Sequence, residues 1–447
     1  MADVEVVVVG AGFAGIRAAR SLADAGVEVV VLEARDRVGG RTVNERVGET
    51  ALDLGAQWLG PTQDRALALL ERFGLERFEQ YATGDRALVR GGTLLRYRGL
   101  IPRIHPLDLA EVGWRIRSLD GLARKIPLDG PWTHPKAPHW DGMSAEAYLQ
   151  KKVRRRGARD LIRAAGQMIL ADELDDISFL WFLFYLHAGG GIERLAEVHG
   201  GAQQWRVVGG TVQICERLAE GLDVRLGHPV RRIAYGSDGV QVEAGSLDVS
   251  ARRAILAVPP ALRPRMTFEP ELPEAHRRLA EGMPMGSIIK TVVAYEKPFW
   301  RELGLSGECV FLEGPVRATF DDTTHDGSHA ALVAFIVGNE ARRLSPLPLA
   351  QRRQEVLEAL ATVYGDGALE PIDYVEKDWT ADEWAGGCYV GLPRPGVLTR
   401  YGPALRAPVG PLHFAGTETA RVWAGYLEGA LESGERAAEE VLTALRS

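Results

Sequence analysis

Only three cysteines occur in 447 residues, Cys215, Cys309 and Cys388, and they lie far apart. An odd, scattered set excludes a disulfide framework and fits a reducing, cytoplasmic compartment. It matches no zinc-ligand spacing either, so no metal is expected. A net positive charge is also lacking. The formal net charge of -7 argues against nucleic acid as a partner, because phosphate binding needs a basic face. One local basic run, Lys151 to Arg156, reads as the solvated face of a helix. Long hydrophobic runs are absent. The most apolar stretch, Phe179 to Leu186, falls far short of the roughly 20 residues a membrane helix needs. The last residues, Glu439 to Ser447, are amphipathic, and Met1 leads within a few residues into a strand, which leaves no signal peptide. The chain reads as soluble, with no membrane partner.

What is present is ordinary globular composition, 46% hydrophobic and 25% charged, in a chain long enough for two or three domain-sized units. The N-terminus reads strand, turn, helix, strand: Val4 to Val9, a helix over Ala11 to Ala25 with Gly26 as its C-terminal cap, and a second buried strand over Val27 to Leu32. Residues 94–138 show little periodicity, and Met143 to Glu197 looks helical. Strand alternation returns over Val224 to Val249, with Gly236-Ser237-Asp238-Gly239 as a hairpin turn. Ala254 to Val258 is a further strand stopped by Pro259-Pro260. Ile288 to Tyr295 is another, Gln351 to Tyr364 is a helix, and Leu412 to Ala415 a last strand before Gly416. The expected fold is a two-domain α/β protein: a discontinuous dinucleotide-binding domain (1–77, 208–279 and 382–447) and a mixed-sheet and helical substrate domain (78–207 and 280–381).

Gly10-Ala11-Gly12-Phe13-Ala14-Gly15 follows the first strand and opens the first helix. Gly10 permits the tight turn, Gly12 lets the backbone approach a pyrophosphate, and Gly15 allows helix and strand to pack closely. The helix N-terminus adds amide donors and partial positive charge. Glu33, at the end of the second strand, is placed to accept hydrogen bonds from ribose hydroxyls. Glu33-Ala34-Arg35-Asp36-Arg37-Val38-Gly39-Gly40-Arg41 continues the fingerprint, its glycines able to present amides and Arg41 to offset phosphate charge.

Further motifs follow in order: Leu54 to Gln63, Trp181 to Tyr185, Gly286-Ser287-Ile288-Ile289-Lys290, Ala385-Gly386-Gly387-Cys388-Tyr389, Phe414 to Thr419, and Trp423 to Gly429. With the glycine fingerprint they span nearly the whole chain, which resembles the flavin-dependent amine oxidases and, within them, the monoamine oxidases. On residue type alone Cys388 is a small buried hydrophobe, Tyr389 and Tyr426 are single core aromatics, and Lys290 is a snorkelling lysine in an apolar strand. The resemblance implies more. Cys388 would tether FAD through an 8α thioether, Tyr389 and Tyr426 would form an aromatic cage that aligns an amine, and Lys290 would hold a water near flavin N5. Thr417 and Glu418, with Gly416, would serve the ribityl and phosphate end, Val230 the adenine, and Arg35, Trp379 and Leu427 further parts of the cofactor. The dipole of the final helix, starting near Tyr426, would stabilise charge on the reduced ring.

Departures from the family pattern bear on substrate. The gate and wall positions of monoamine oxidases fall on Ala196 and Ala318, which implies a wider, single-chambered cavity. Tyr185 and Gln203 match wall residues, and Trp58 replaces a tyrosine. The implied reaction is oxidation of a primary arylalkyl amine by oxygen to aldehyde, ammonia and hydrogen peroxide, and a homodimer is common in the family. No histidine or carboxylate stands among the residues matched to the substrate side of the site, which suits C–H cleavage driven by desolvation rather than a general base. The rivals are a putrescine or polyamine oxidase, which wants an acidic residue in the cavity (Glu193, Glu197 or Glu308), and a flavoprotein desaturase or non-catalytic flavin binder.

Overall fold

The computed structural model describes residues 3–47, 50–99, 102 and 104–446. Two large sheets organise it. The first is built on Val4–Val9, in which Val6 to Val9 are buried, as a strand covered on both faces requires. Val4–Val9 pairs in parallel with Val29–Leu32 on one side and Leu247–Leu256 on the other. Asp223–Arg225 extends the sheet beyond Val29–Leu32, and Leu412–Phe414 joins Leu247–Leu256 in parallel. An antiparallel extension runs through Gly239–Ala244 and Val230–Gly236, turning at Gly236 opposite Gly239 as expected. The first helix, Phe13–Asp24, is shorter at both ends than expected, and the second strand begins at Val29 rather than Val27. Gly26 adopts φ 81° and donates to Ala23 O, closing the helix as the sequence indicated.

The second sheet has seven strands in the order Asp373–Asp378, Ile288–Tyr295, Ala330–Val337, Ala318–Asp321, Leu305–Phe311, Asp85–Arg90 and Thr93–Tyr97. Ile288–Tyr295 falls where the sequence put it, and every residue in it is buried. The Met143 to Glu197 region is helical as expected, in four helices: Ala145–Lys152, Arg156–Leu170, Phe179–Ala188 and Ile192–Ala196. The apolar Phe179–Ala188 helix is a core element. The basic run straddles the junction of the first two of these helices instead of lying on one, and Arg155 pairs with Asp108. Residues 94–138, which looked aperiodic, carry the helix Pro106–Ala123. Its periodicity is masked because Leu107 and Trp114 are exposed on its outer side while Val112 and Ile116 are buried.

Candidate active site

One continuous cavity begins at the C-terminal end of Val4–Val9 and runs into the space above the second sheet. Its first part is glycine-built. An added Cβ on Gly12 would meet nothing closer than Gly40 Cα at 3.7 Å, so both loops present bare backbone to the cavity they line. Glu33 lines it too; one oxygen accepts from Ala11 N at 2.7 Å and the other from Arg35 N at 2.9 Å, which fixes the carboxylate with lone pairs to spare. Arg35 is held by Asp382 at 2.5 Å. This bare-backbone cradle, with an anchored carboxylate and a helix N-terminus, fits a dinucleotide of the FAD type.

Val230, Trp379, Cys388, Gly416, Thr417 and Leu427 line the same cavity. The Trp379 indole donates to Leu54 O at 2.9 Å, and Thr417 Oγ1 accepts from Gly425 N at 2.7 Å and donates to Tyr426 O at 3.0 Å. Gly15 does not reach the wall and packs helix against strand, the role expected of it: a Cβ there would fall 1.9 Å from Gly10 O. One residue expected at the cofactor is also absent from the wall. Glu418 lies behind Arg41, buried and salt-bridged to it at 2.7 Å. Arg41 is thereby committed to Glu418 and to the Tyr389 carbonyl.

Tyr389, Tyr426 and Tyr185 enclose the next part, with the Tyr185 and Tyr426 ring centroids 6.3 Å apart. Burial raises the Tyr389 and Tyr185 hydroxyls well above their ordinary range, each reinforced by neighbouring tyrosines, and burial raises Tyr426 as well. All three stay neutral. The Cys388–Tyr389 peptide bond is cis, and Cys388 N donates to Gly286 O at 3.0 Å. Burial pushes the Cys388 thiol up to about 12, with Arg41 opposing.

The second sheet forms the floor. Lys290, Phe335, Ala318, Val310 and Leu88 are direct neighbours on five successive strands, and all five line the cavity. Lys290 does not snorkel to solvent. It is buried, donates to Gly55 O at 2.9 Å and contacts Gln57 Oε1. Burial lowers its ammonium to about 8, against the opposing pull of Asp322 and Asp53. Behind it, Gln57 donates to Asp322 at 3.1 Å, Arg206 pairs with Asp322 at 2.9 Å, and burial raises Asp53 to about 6. The sequence reading missed Asp53, Gln57, Arg206 and Asp322 as a group. Only Gln57, inside a quoted motif, carried a signal.

Trp58 packs on Phe320 at 5.1 Å and Phe335 at 5.6 Å, its indole donating to Gln80. Ala196 and Gln203 are also on the wall. Of the three unplaced glutamates, Glu308 lines the cavity, Glu197 stands behind it on Arg86, and Glu193 is exposed.

A family model described as flavin containing amine oxidoreductase matches residues 13–442. The chain is 39% identical to dog amine oxidase [flavin-containing] B over 99% of its own length and 86% of that protein. It is 40% identical to a Mycobacterium tuberculosis (strain H37Rv) protein described as a flavin-containing monoamine oxidase, AofH, over 99% of this chain and 97% of that one. Cyclohexylamine oxidase from Brevibacterium oxydans IH-35A superposes with a TM-score of 0.95 at 32% identity, covering 100% of both chains. Putrescine oxidase bound to putrescine superposes with a TM-score of 0.94 at 34% identity, covering 98% of this chain and 99% of that one.

Proposed function

Since the chain belongs to the flavin-containing amine oxidoreductases and is a flavin-dependent amine oxidase, we propose that it oxidises primary arylalkyl amines with oxygen, yielding aldehyde, ammonia and hydrogen peroxide. The observation that carries this reading is the convergence of Cys388, Tyr389, Tyr426 and Lys290 on one cavity continuous with the glycine cradle. When bound, the flavin supplies the two-electron acceptor. Tyr389 and Tyr426 are neutral, electron-rich faces that hold the amine nitrogen without a formal charge. The wall formed by Trp58, Phe320 and Phe335 excludes water and suits an aromatic side chain. Lys290 presents its ammonium to the cavity and handles protons at that end. Cys388 is the residue for covalent attachment. The helix Leu427–Arg446 points its N-terminus at the cavity and favours negative charge there.

The division of the chain into 1–77, 208–279 and 382–447 against 78–207 and 280–381 is supported by the strands: those of the first sheet lie in the first set, those of the second sheet in the second. No helix among the described residues is long and apolar enough to cross a membrane.

Anaerobic mixing with phenethylamine, tyramine, benzylamine, putrescine, spermine and L-phenylalanine tests the assignment. Bleaching of the flavin by the arylalkyl amines is the expected result. Bleaching by putrescine or spermine alone moves the chain to the diamine and polyamine branch, and no bleaching by any of them overturns the amine oxidase chemistry.

A further inference from the structure

A second, smaller cavity of about 80 Å³ lies apart from the first, and among the described residues the two share no lining residue. Asp53 and Arg206 stand on its wall, and it opens to solvent at the exposed turn His325 to Ser328. A line of contacts joins the two cavities. Lys290 Nζ, in the first, contacts Gln57 Oε1, and Gln57 Nε2 donates to Asp322 Oδ1 at 3.1 Å. Arg206 Nη2, from the second, reaches the same oxygen at 2.9 Å. Asp53 stands two residues before Gly55, whose carbonyl also accepts from Lys290. It is buried, and its Oδ1 accepts from Thr211 N at 3.1 Å.

Three buried side-chain atoms along this line lack a partner: Arg206 Nε, Asp322 Oδ2 and Thr323 Oγ1. Their residues are at most 4% exposed. Buried donors and acceptors are costly unless satisfied, and a mixed set of them beside a polar cavity is where water bonds. Arg206 keeps its proton and Gln57 has none to give at neutral pH, so these two fix the geometry. The carboxylates and water are the groups that can pass a proton.

The proposed reaction requires one to be passed. The neutral amine gives up a hydride, carrying two electrons, and the iminium left behind hydrolyses to aldehyde and ammonium. Oxygen takes up those two electrons, that hydrogen and one further proton to become hydrogen peroxide. The further proton leaves the Lys290 ammonium inside the desolvated cavity, so Lys290 must recover it from solvent.

We propose that Asp53 and Asp322 are positioning residues for Lys290 and, with water bonded at the three unpartnered atoms, form a relay that returns its proton from solvent through the second cavity. This rests on the amine oxidase reading and deepens it. Proton affinities along the line converge: burial lifts the Asp53 carboxyl to about 6 and raises Asp322, while burial lowers Lys290 to about 8. The other titratable and charged groups that face them are Arg206, Asp321 and Cys388.

The test follows the proton rather than turnover. Flavin-loaded protein is photoreduced without an amine and mixed with oxygenated, weakly buffered solution containing a pH indicator dye, the dye and the flavin being read together. The wild type is expected to take up one proton per flavin in step with reoxidation. In Asp53→Asn both rates should fall at least about 10-fold and recover with added formate, a weak acid small enough for the second cavity. Formate should leave the wild type unchanged. Ala51 is exposed and lines the second cavity, so Ala51→Trp should block it from outside and slow uptake as well, which decides the matter should Asp53→Asn not fold. Variant rates equal to wild type, or a slowing in Asp53→Asn that formate does not relieve, overturn the relay. A crystal structure gives a readout independent of the flavin: ordered water on Arg206 Nε, Asp322 Oδ2 and Thr323 Oγ1 is expected, and its absence overturns the relay too. Photoreduction needs no amine, so failure of every amine to bleach the flavin sinks the oxidase reading alone. Bleaching by amines with unchanged variant rates sinks the relay alone.

Discussion

Arg41 reaches from the glycine-rich loop to Glu418, with Nη1 2.7 Å from Oε1 and Nη2 3.3 Å from Oε2. The same Nη1 donates to the Tyr389 carbonyl at 2.7 Å, so one guanidinium ties the first cofactor loop, the Thr417 turn and the backbone of a cavity tyrosine. Arg41→Ala leaves a buried carboxylate without its counterion. The expected loss is about 3–5 kcal/mol, seen as a lower midpoint in chemical denaturation. Arg41→Lys falls between, because a point charge cannot make the forked contact.

Lys290 gives a pH signature. Its folded-state ammonium sits at about 8, below the ordinary 10.5. Between those values the unfolded chain binds more protons, so this group's contribution to stability rises with pH across that window. Below it both states carry the proton, and the folded state bears the full cost of burying the charge. Denaturation of wild type and Lys290→Met between pH 7 and 11 should show their stability difference shifting in favour of wild type as pH increases. A difference that stays flat contradicts the buried, charge-strained lysine.

Cys388 has a readout independent of turnover. Denatured wild-type protein should retain flavin fluorescence on a gel, whereas Cys388→Ala releases it on acid precipitation. Release from both removes the covalent assignment and leaves the cradle reading untouched.

On the proposed reading Tyr389 and Tyr426 act through their ring faces, so Tyr→Phe at either position should change kcat/KM by less than about 3-fold. Tyr→Ser should lower it by at least about 10-fold, a loss of roughly 1.4 kcal/mol or more. Equal losses for Phe and Ser would assign the effect to the hydroxyls.

Ala318 sits in the middle of the sheet floor beside Phe335 and Val310. Ala318→Phe should raise KM for long alkyl amines at least about 10-fold while short arylalkyl amines change little, since only the former need the far half of the cavity. Parallel steady-state series with the two amine classes check it.

How much of this was legible differs from one residue to the next. Gly10, Gly12, Glu33 and Gly39 could be placed in a dinucleotide cradle because a strand, a tight turn and a helix start are local events with short-range signatures. The strand Ile288–Tyr295 was readable for the same reason. The helix Pro106–Ala123 was not, because exposed Leu107 and Trp114 blurred its periodicity. Glu418 matched a motif yet stands behind Arg41, since a motif fixes chain position and not depth. Asp53, Asp322 and Arg206 come from separate segments and gain meaning only once they gather behind Lys290.

The sequence by itself determined the nucleotide fingerprint, the order of motifs and the residue types a flavin amine oxidase requires, because each resides in a few consecutive residues. Only the tertiary structure decided that Lys290 is buried rather than snorkelling, that Arg41 is committed to Glu418, and that Glu308 alone of three glutamates reaches the cavity. Those outcomes depend on strand register across the second sheet and on which side chains share one desolvated space. Neither can be read from spacing along the chain.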